Sequence, residues 1–334
     1  MAEKKCCNEK FKTMIGGQAL IEGIMMLGPD KSATVVRAKD GIHTKIEPRK
    51  TPKKGFSLKK IPFIRGVFNF CTSMKVGVSA LMYSANFFMD EEDDDTPVEK
   101  QSKVDAWLEK KLSSEKAQGV LVTIAVVFGI LMSVGLFIVL PSIIGSVLGN
   151  WIHHEIALYL VEGLVRIVLL VAYMFFAAKM KDMRRVFAYH GAEHKTIRCY
   201  EAKLPLTVEN VRKQTRLHPR CGTSFLFVVL FLSILVFSVA SILLKPITPD
   251  FDSAILDALV RIVMKLILLP IVVGMAYELN RIVGRFDNWL TKALSAPGMW
   301  LQYITTNEPD DQMIEVGIEA LRLVIPEEEG ADKW

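Results

Sequence analysis

The sequence predicts a mainly α, polytopic helical membrane protein with about four transmembrane helices, an additional interfacial or re-entrant helix and a small N-terminal β-hairpin element. Three observations carry this. Four apolar segments, at about residues 119–148, 155–178, 223–244 and 257–279, are each long enough at about 1.5 Å per residue to cross a hydrocarbon core of about 30 Å. A mean hydropathy of +0.30 with 51% hydrophobic residues is too apolar for an ordinary soluble domain of 334 residues. Lysine and arginine crowd residues 179–220, whereas 149–154 and 245–256 carry little positive charge. The positive-inside bias then puts that loop and both termini in the cytosol.

Taken in order, the polar start MAEKKCCNEKFK lacks the charged lead into an apolar core that a signal peptide shows. Residues 13–28 are apolar but interrupted by Gly16-Gly17 and Glu22, too short to span, and read as a strand or buried loop. Two β-prone runs flank Asp40-Gly41, a dipeptide suited to a tight hairpin turn. A basic stretch at 50–60 suits the negative surface of a cytoplasmic leaflet. Residues 61–89 are long enough to span but contain Arg65 and Lys75, which favours an interfacial helix over a crossing. The run DEEDDD opens an acidic linker with a short amphipathic helix, 90–118, ahead of the bundle at 119–279. Beyond it, 287–303 and 315–323 show helical periodicity and are expected as cytosolic or surface helices of a C-terminal segment, 280–334. No internal repeat supports an inverted-repeat transporter.

The five cysteines, Cys6, Cys7, Cys71, Cys199 and Cys221, are odd in number and irregularly spaced, which argues for reduced thiols. The chemistry is concentrated in two short stretches. In Tyr189-His190-Gly191-Ala192-Glu193-His194-Lys195, a helix would put His190, Glu193 and His194 on one face. That H-x-x-E-H order is the one in which two imidazoles hold zinc and the carboxylate takes a proton from water. In His218-Pro219-Arg220-Cys221-Gly222, an imidazole and a thiol sit three positions apart just before a span, and Arg216 and Arg220 would lower the thiol pKa. If His190, His194, His218 and Cys221 all bind, the tetrahedron is closed and the metal structural; three ligands leave a position for catalysis. Ordinary polar groups of a membrane-proximal loop are the bland alternative.

Glu22 is a lone carboxylate in an apolar run, suited to acid or base work, or else the partner of a nearby arginine. Glu278 reads as snorkelling or salt-bridged, His153 and His154 as interfacial polar residues on the far side, and Met25 and Met26 as packing. A phosphate loop and a G-x-S-x-G elbow are both missing from the sequence, so NTPase and α/β-hydrolase readings have no foothold.

Three stretches, GGQALIEGIMM at 16–26, YHGAEHK at 189–195 and HPRCGTSF at 218–225, together give the chain a wider likeness. It resembles the YqhQ-like family of bacterial membrane proteins, from about residue 13 to about 325. That family consists of bacterial membrane proteins of unknown function, sometimes labelled metal-dependent enzymes, so the resemblance implies more about the fold than about the chemistry. From the residues themselves the leading expectation is a multi-pass protein of the bacterial cytoplasmic (inner) membrane and a zinc-dependent hydrolase opening to the cytosolic face. His190, His194 and His218 or Cys221 would bind the divalent metal, Glu193 would activate water, and Glu22 would be a second acid. The rival is a non-catalytic transport or assembly factor with a structural metal. The lipid bilayer is the expected partner, and no nucleic acid is expected.

Overall fold

The computed structural model describes residues 11–49, 61–88, 115–149, 151–152, 154–244, 254–286, 288–328 and 330–333. The basic stretch 50–60, the acidic linker at 90–103, Cys6, Cys7 and His153 lie outside them. In chain order the strands are β1 (Gly16–Leu20), β2 (Gly23–Leu27), β3 (Lys31–Ala38) and β4 (Gly41–Pro48). The helices are α1 (Ile64–Ala85), α2 (Glu115–Val134), α3 (Leu140–Leu148), α4 (Glu155–Ala177), α5 (Lys181–Glu201), α6 (Val208–Arg212), α7 (Gly222–Leu244), α8 (Ala254–Arg285), α9 (Trp289–Thr305) and α10 (Asp311–Val324). Gly135–Val139, between α2 and α3, is a π-helical turn.

Four stretches are long and apolar enough to cross a membrane: Thr123–Gly145, Ala157–Ala177, Gly222–Leu244 and Leu259–Arg285. They coincide with the four predicted segments, the last running six residues beyond its expected end at 279. The protein is a membrane protein. Its chain divides into two compact units, one made of Met1–Phe88, Tyr173–Val229 and Val273–Trp334, the other of Met89–Ala172 and Leu230–Val272.

In the first unit the strands form an antiparallel meander, β1-β2-β3-β4, with Gln18 opposite Met25 and Met25 opposite Thr34. The predicted hairpin at Asp40-Gly41 joins β3 to β4. Successive side chains of a strand point to opposite faces, so the unbroken apolar run of β2 implies cover on both. Ile24 and Met26 pack with Tyr189 and Ala192 of α5 and Val316 and Leu321 of α10, while Met25 packs with Leu20 and with Ala80 of α1. Both methionines are packing residues. Helix α10 begins at Asp310, whose side chain caps Met313 N–H at 2.8 Å.

Helix α1 settles where Arg65 goes: its guanidinium forms a two-pronged ion pair with Glu278 of α8, as expected for a salt-bridged Glu278. The connection at 179–222, expected as a loop, is instead largely helical. Residues 181–201 contain no proline and carry Asp182 in the first turn and Arg198 in the last, where each opposes the helix dipole favourably.

The second unit buries charge among apolar helices. Lys265 Nζ donates to Glu162 Oε2 at 2.6 Å and to Ser142 Oγ at 2.8 Å, and all three are buried. Arg166 donates from Nε to the Phe137 carbonyl at 2.8 Å and from Nη1 to Ser233 Oγ at 3.0 Å. In an α-helix Phe137 O would accept from residue 141, which is Pro141 and has no N–H. The π turn falls at this point, and a guanidinium from α4 takes the acceptor.

Candidate metal centre

Helix α5 runs from an exposed start to a second half that is buried almost all round, from Phe187 to Cys199. Gly191 allows this. A methyl on it would collide with the Asn307 carbonyl, where the α9–α10 connection crosses the helix and Asn307 N–H donates to Phe187 O at 2.8 Å. One turn along, Lys195 closes the same junction, donating to Arg212 O at 3.1 Å and pairing with Glu308 at 2.5 Å.

His190 and His194, one turn apart, have ring centroids 4.3 Å apart. Each is anchored at Nδ1 by a backbone carbonyl, His190 by Thr305 O at 2.8 Å and His194 by Arg216 O at 2.5 Å. A carbonyl only accepts, so both Nδ1 atoms carry the proton, and a metal between the rings would be met by the Nε2 lone pair of each. Cys221 closes the third corner, its Sγ 3.1 Å from His190 Nε2. One ligand atom from each of His190, His194 and Cys221 lies within 4.8 Å of the others. A tetrahedral zinc with bonds of about 2.0–2.3 Å holds its ligand atoms about 3.3–3.8 Å apart, so a small contraction would seat one. His194 Nε2 is buried with no hydrogen-bond partner, an orphan that a metal would satisfy. The donor set of two imidazoles, a thiolate and carbonyl-anchored rings fits zinc.

Glu193 lies beside these ligands with its Oε2 buried and unpartnered. Gly17 of β1 makes room for it: an added Cβ there would come within 2.9 Å of the Glu193 Cγ and Cδ. Burial raises the Glu193 pKa above the usual carboxylate value, against the pull of His194 and His190 and a hydrogen bond from the Gly17 backbone. Burial also raises the Cys221 thiol, but His190 and His194 outweigh it and hold the thiol well below its ordinary value. For His190 burial disfavours the cation, yet the Cys221 thiolate pushes its pKa up to about 9. Without metal the two form a buried thiolate–imidazolium pair.

His218 is brought to the edge of this group rather than into it. Its ring centroid is 5.6 Å from that of His194, and its Nε2 stands 3.5 Å from Glu201 Oε2 without hydrogen-bond alignment. Burial lowers its pKa to about 4, so it is neutral despite Glu201. Glu22 goes elsewhere. In the β1–β2 turn, at φ 49°, its carboxylate takes two hydrogen bonds from Arg185 and one from the Tyr189 hydroxyl at 3.1 Å. Burial, then Glu22, raises the Tyr189 pKa, keeping that hydroxyl a donor. Glu22 is thus an arginine's partner.

Sequence reading missed the residues that hold the ligands. Gln302 is fully buried, accepting the His218 N–H at Oε1 and donating from Nε2 to the His218 carbonyl, both at 2.7 Å. Arg216 Nη1 donates to Thr306 O at 2.6 Å, tying the 213–221 turn to the end of α9. Arg220 and Glu201 pair beneath it. Gln302, at helical spacing from Ser295, Gly298 and Thr305 on the buried face of α9, was the available signal.

Comparison with known proteins places this architecture among relatives. The chain is 33% identical over 313 residues to "Uncharacterized protein YqhQ" of Bacillus subtilis (strain 168), covering 93% of this chain and 92% of that one. No solved structure matches it. The family described as protein of unknown function (DUF1385) matches residues 61–327, in keeping with the likeness of its three motifs to YqhQ-like proteins. The chain belongs to that family.

Proposed function

We propose that the protein is a metal-dependent hydrolase of the bacterial cytoplasmic membrane whose centre opens at the cytosolic face. The observation that carries the reading is the three-cornered ligand group, His190, His194 and Cys221, beside a buried carboxylate oxygen of Glu193 that has no protein partner. Three protein ligands leave a tetrahedral ion one open position, the arrangement of catalytic rather than structural zinc. Zinc, when bound, supplies Lewis-acid polarisation of oxygen ligands. Thr305 and Arg216 carbonyls hold both imidazoles in the tautomer and orientation that present Nε2. Glu193, its pKa raised by burial, accepts a proton from the attacking water and returns it to the leaving group.

Topology supports the location. Four crossings return the chain to its starting side, so the N-terminal segment, residues 178–221 and the C-terminal segment would share one side. Those are the segments that make up the first unit. The lysine- and arginine-rich character of 179–220 supports that side being the cytosol. Helix α1 then stays on it, Phe63, Ile64, Phe68 and Met74 exposed for an interfacial position.

The decisive experiment pairs zinc content with hydrolysis of ester, phosphate-ester and peptide substrates by the purified protein and its Glu193→Gln variant. The expected result is equal zinc and a loss of hydrolysis of at least a hundredfold in the variant. Equal zinc with unchanged activity overturns the hydrolase. A second reading, a non-catalytic transport or assembly factor with a closed structural site, draws on His218, neutral, buried and close to His194. It predicts that His218→Ala loses zinc and melts early while Glu193→Gln changes nothing.

A further inference from the structure

Outside the ligand triangle, the first unit has a cleft of about 1110 Å³. Lys12, Arg198, Lys203, Arg220 and Lys292 line it, and Glu201 is the one carboxylate among its described lining residues. That carboxylate is already committed to Arg220 and faces His218. Arg198 spends its Nε on the Leu217 carbonyl, and its neighbours Glu201 and Arg220 act on it with opposite signs. Among the described lining residues five cationic side chains thus face one carboxylate, a balance that suits a phosphate.

An apolar part of its lining lies beside the end of a candidate span. Val283 is near the end of the last such span and Phe286 just beyond it, and Ala296 and Met299 are contributed by α9. Helix α9 also leaves Trp289, Trp300 and Tyr303 exposed, at 79%, 67% and 59%. Such amphipathic rings favour the headgroup level of a bilayer. A cationic cleft with one wall at that depth matches a ligand that is anionic at one end and apolar at the other.

We propose that this cleft binds a phosphate-bearing anion, supplied by the headgroup of an anionic membrane lipid. The turn that forms one side of the cleft, Pro219-Arg220, runs straight into Cys221, so a bound headgroup lies next to the candidate centre along the chain. That the ligand is also a substrate rests on the hydrolase reading; that it binds does not.

The test uses the full-length purified protein, titrated with phosphatidylglycerol, phosphatidylcholine, and soluble inorganic phosphate or glycerol phosphate, with bound ligand read by native mass spectrometry and zinc measured on the same samples. Phosphatidylglycerol is expected to bind at least tenfold tighter than phosphatidylcholine. Charge reversal at the exposed pair, Lys203→Glu with Lys292→Glu, should abolish that preference in protein that still melts cooperatively, and Lys203→Arg with Lys292→Arg should keep it. Soluble phosphate binding with the same charge dependence supports phosphate recognition and assigns the source to a free ester. Equal binding of both lipids without phosphate binding, or a preference that survives charge reversal, overturns the proposal. Unaltered protein that binds zinc but shows no lipid preference overturns the cleft alone; unaltered protein that shows the preference but takes up no zinc overturns the centre alone.

Discussion

Gln302 holds His218 by both backbone groups, accepting its N–H and donating to its carbonyl at 2.7 Å each. The contact gives a strand-like pairing to a turn that has no strand beside it. Cys221, three residues on, inherits its position from that grip. Gln302→Ala leaves two buried backbone groups unpaired, at about 1–3 kcal/mol each. The expected outcome is a lower melting temperature and zinc affinity reduced about 10–100-fold, measured by chelator competition.

Cys221 and Cys199 make an internal comparison. Cys221 is half-buried and held as a thiolate by His190 and His194; Cys199 is buried among apolar side chains, and burial raises its pKa. Iodoacetamide at pH 7 is expected to alkylate Cys221 in metal-stripped protein while sparing Cys199. Zinc should protect Cys221. Peptide mapping by mass spectrometry reads both thiols at once.

Glu201 sets an acid limit. Burial raises its pKa, but His218 and Arg220 outweigh that and leave it below the usual carboxylate value. A carboxylate depressed in the folded state stabilises above its unfolded pKa, and that stability is lost as pH falls through the folded value. Melting temperature should therefore fall below about pH 4.5. Glu201→Gln should flatten that fall, and at pH 7 should cost about 3 kcal/mol by removing the carboxylate from its ion pair with Arg220.

Lys265 and Glu162 depend on each other in the second unit. Lys265→Met strands a buried carboxylate, and a loss of about 3–5 kcal/mol is expected. Adding Glu162→Gln should recover most of it. Thermal melts of the two single variants and the double variant in detergent form the cycle that measures the coupling.

The membrane helices were legible because apolar length is written locally: each span declares itself within its own residues. The sheet was half legible. Asp40-Gly41 announced its turn, while Gly16–Leu27 gave a strand-like run whose pairing only the fold supplies. At the centre, His190, Glu193 and His194 share a helix face that spacing alone implies. Their distance from Cys221 and the aside taken by His218 depend on Gln302 and Thr305, which are remote in sequence, and on Arg216, which drew notice for its charge and not for the carbonyl that anchors His194. Glu22 shows the same limit. Its isolation in an apolar run signalled importance, but only the fold brings Arg185 and Tyr189 to it.

The carbonyl that orients His190 belongs to Thr305, 115 residues later in the chain. During synthesis the two histidines and the cysteine emerge well before α9, so for many seconds the nascent protein carries these candidate ligands without the carbonyl that aims His190. A chain stopped before Thr305 would hold all three side chains, with His194 anchored by Arg216 but nothing to turn the His190 ring toward the other two.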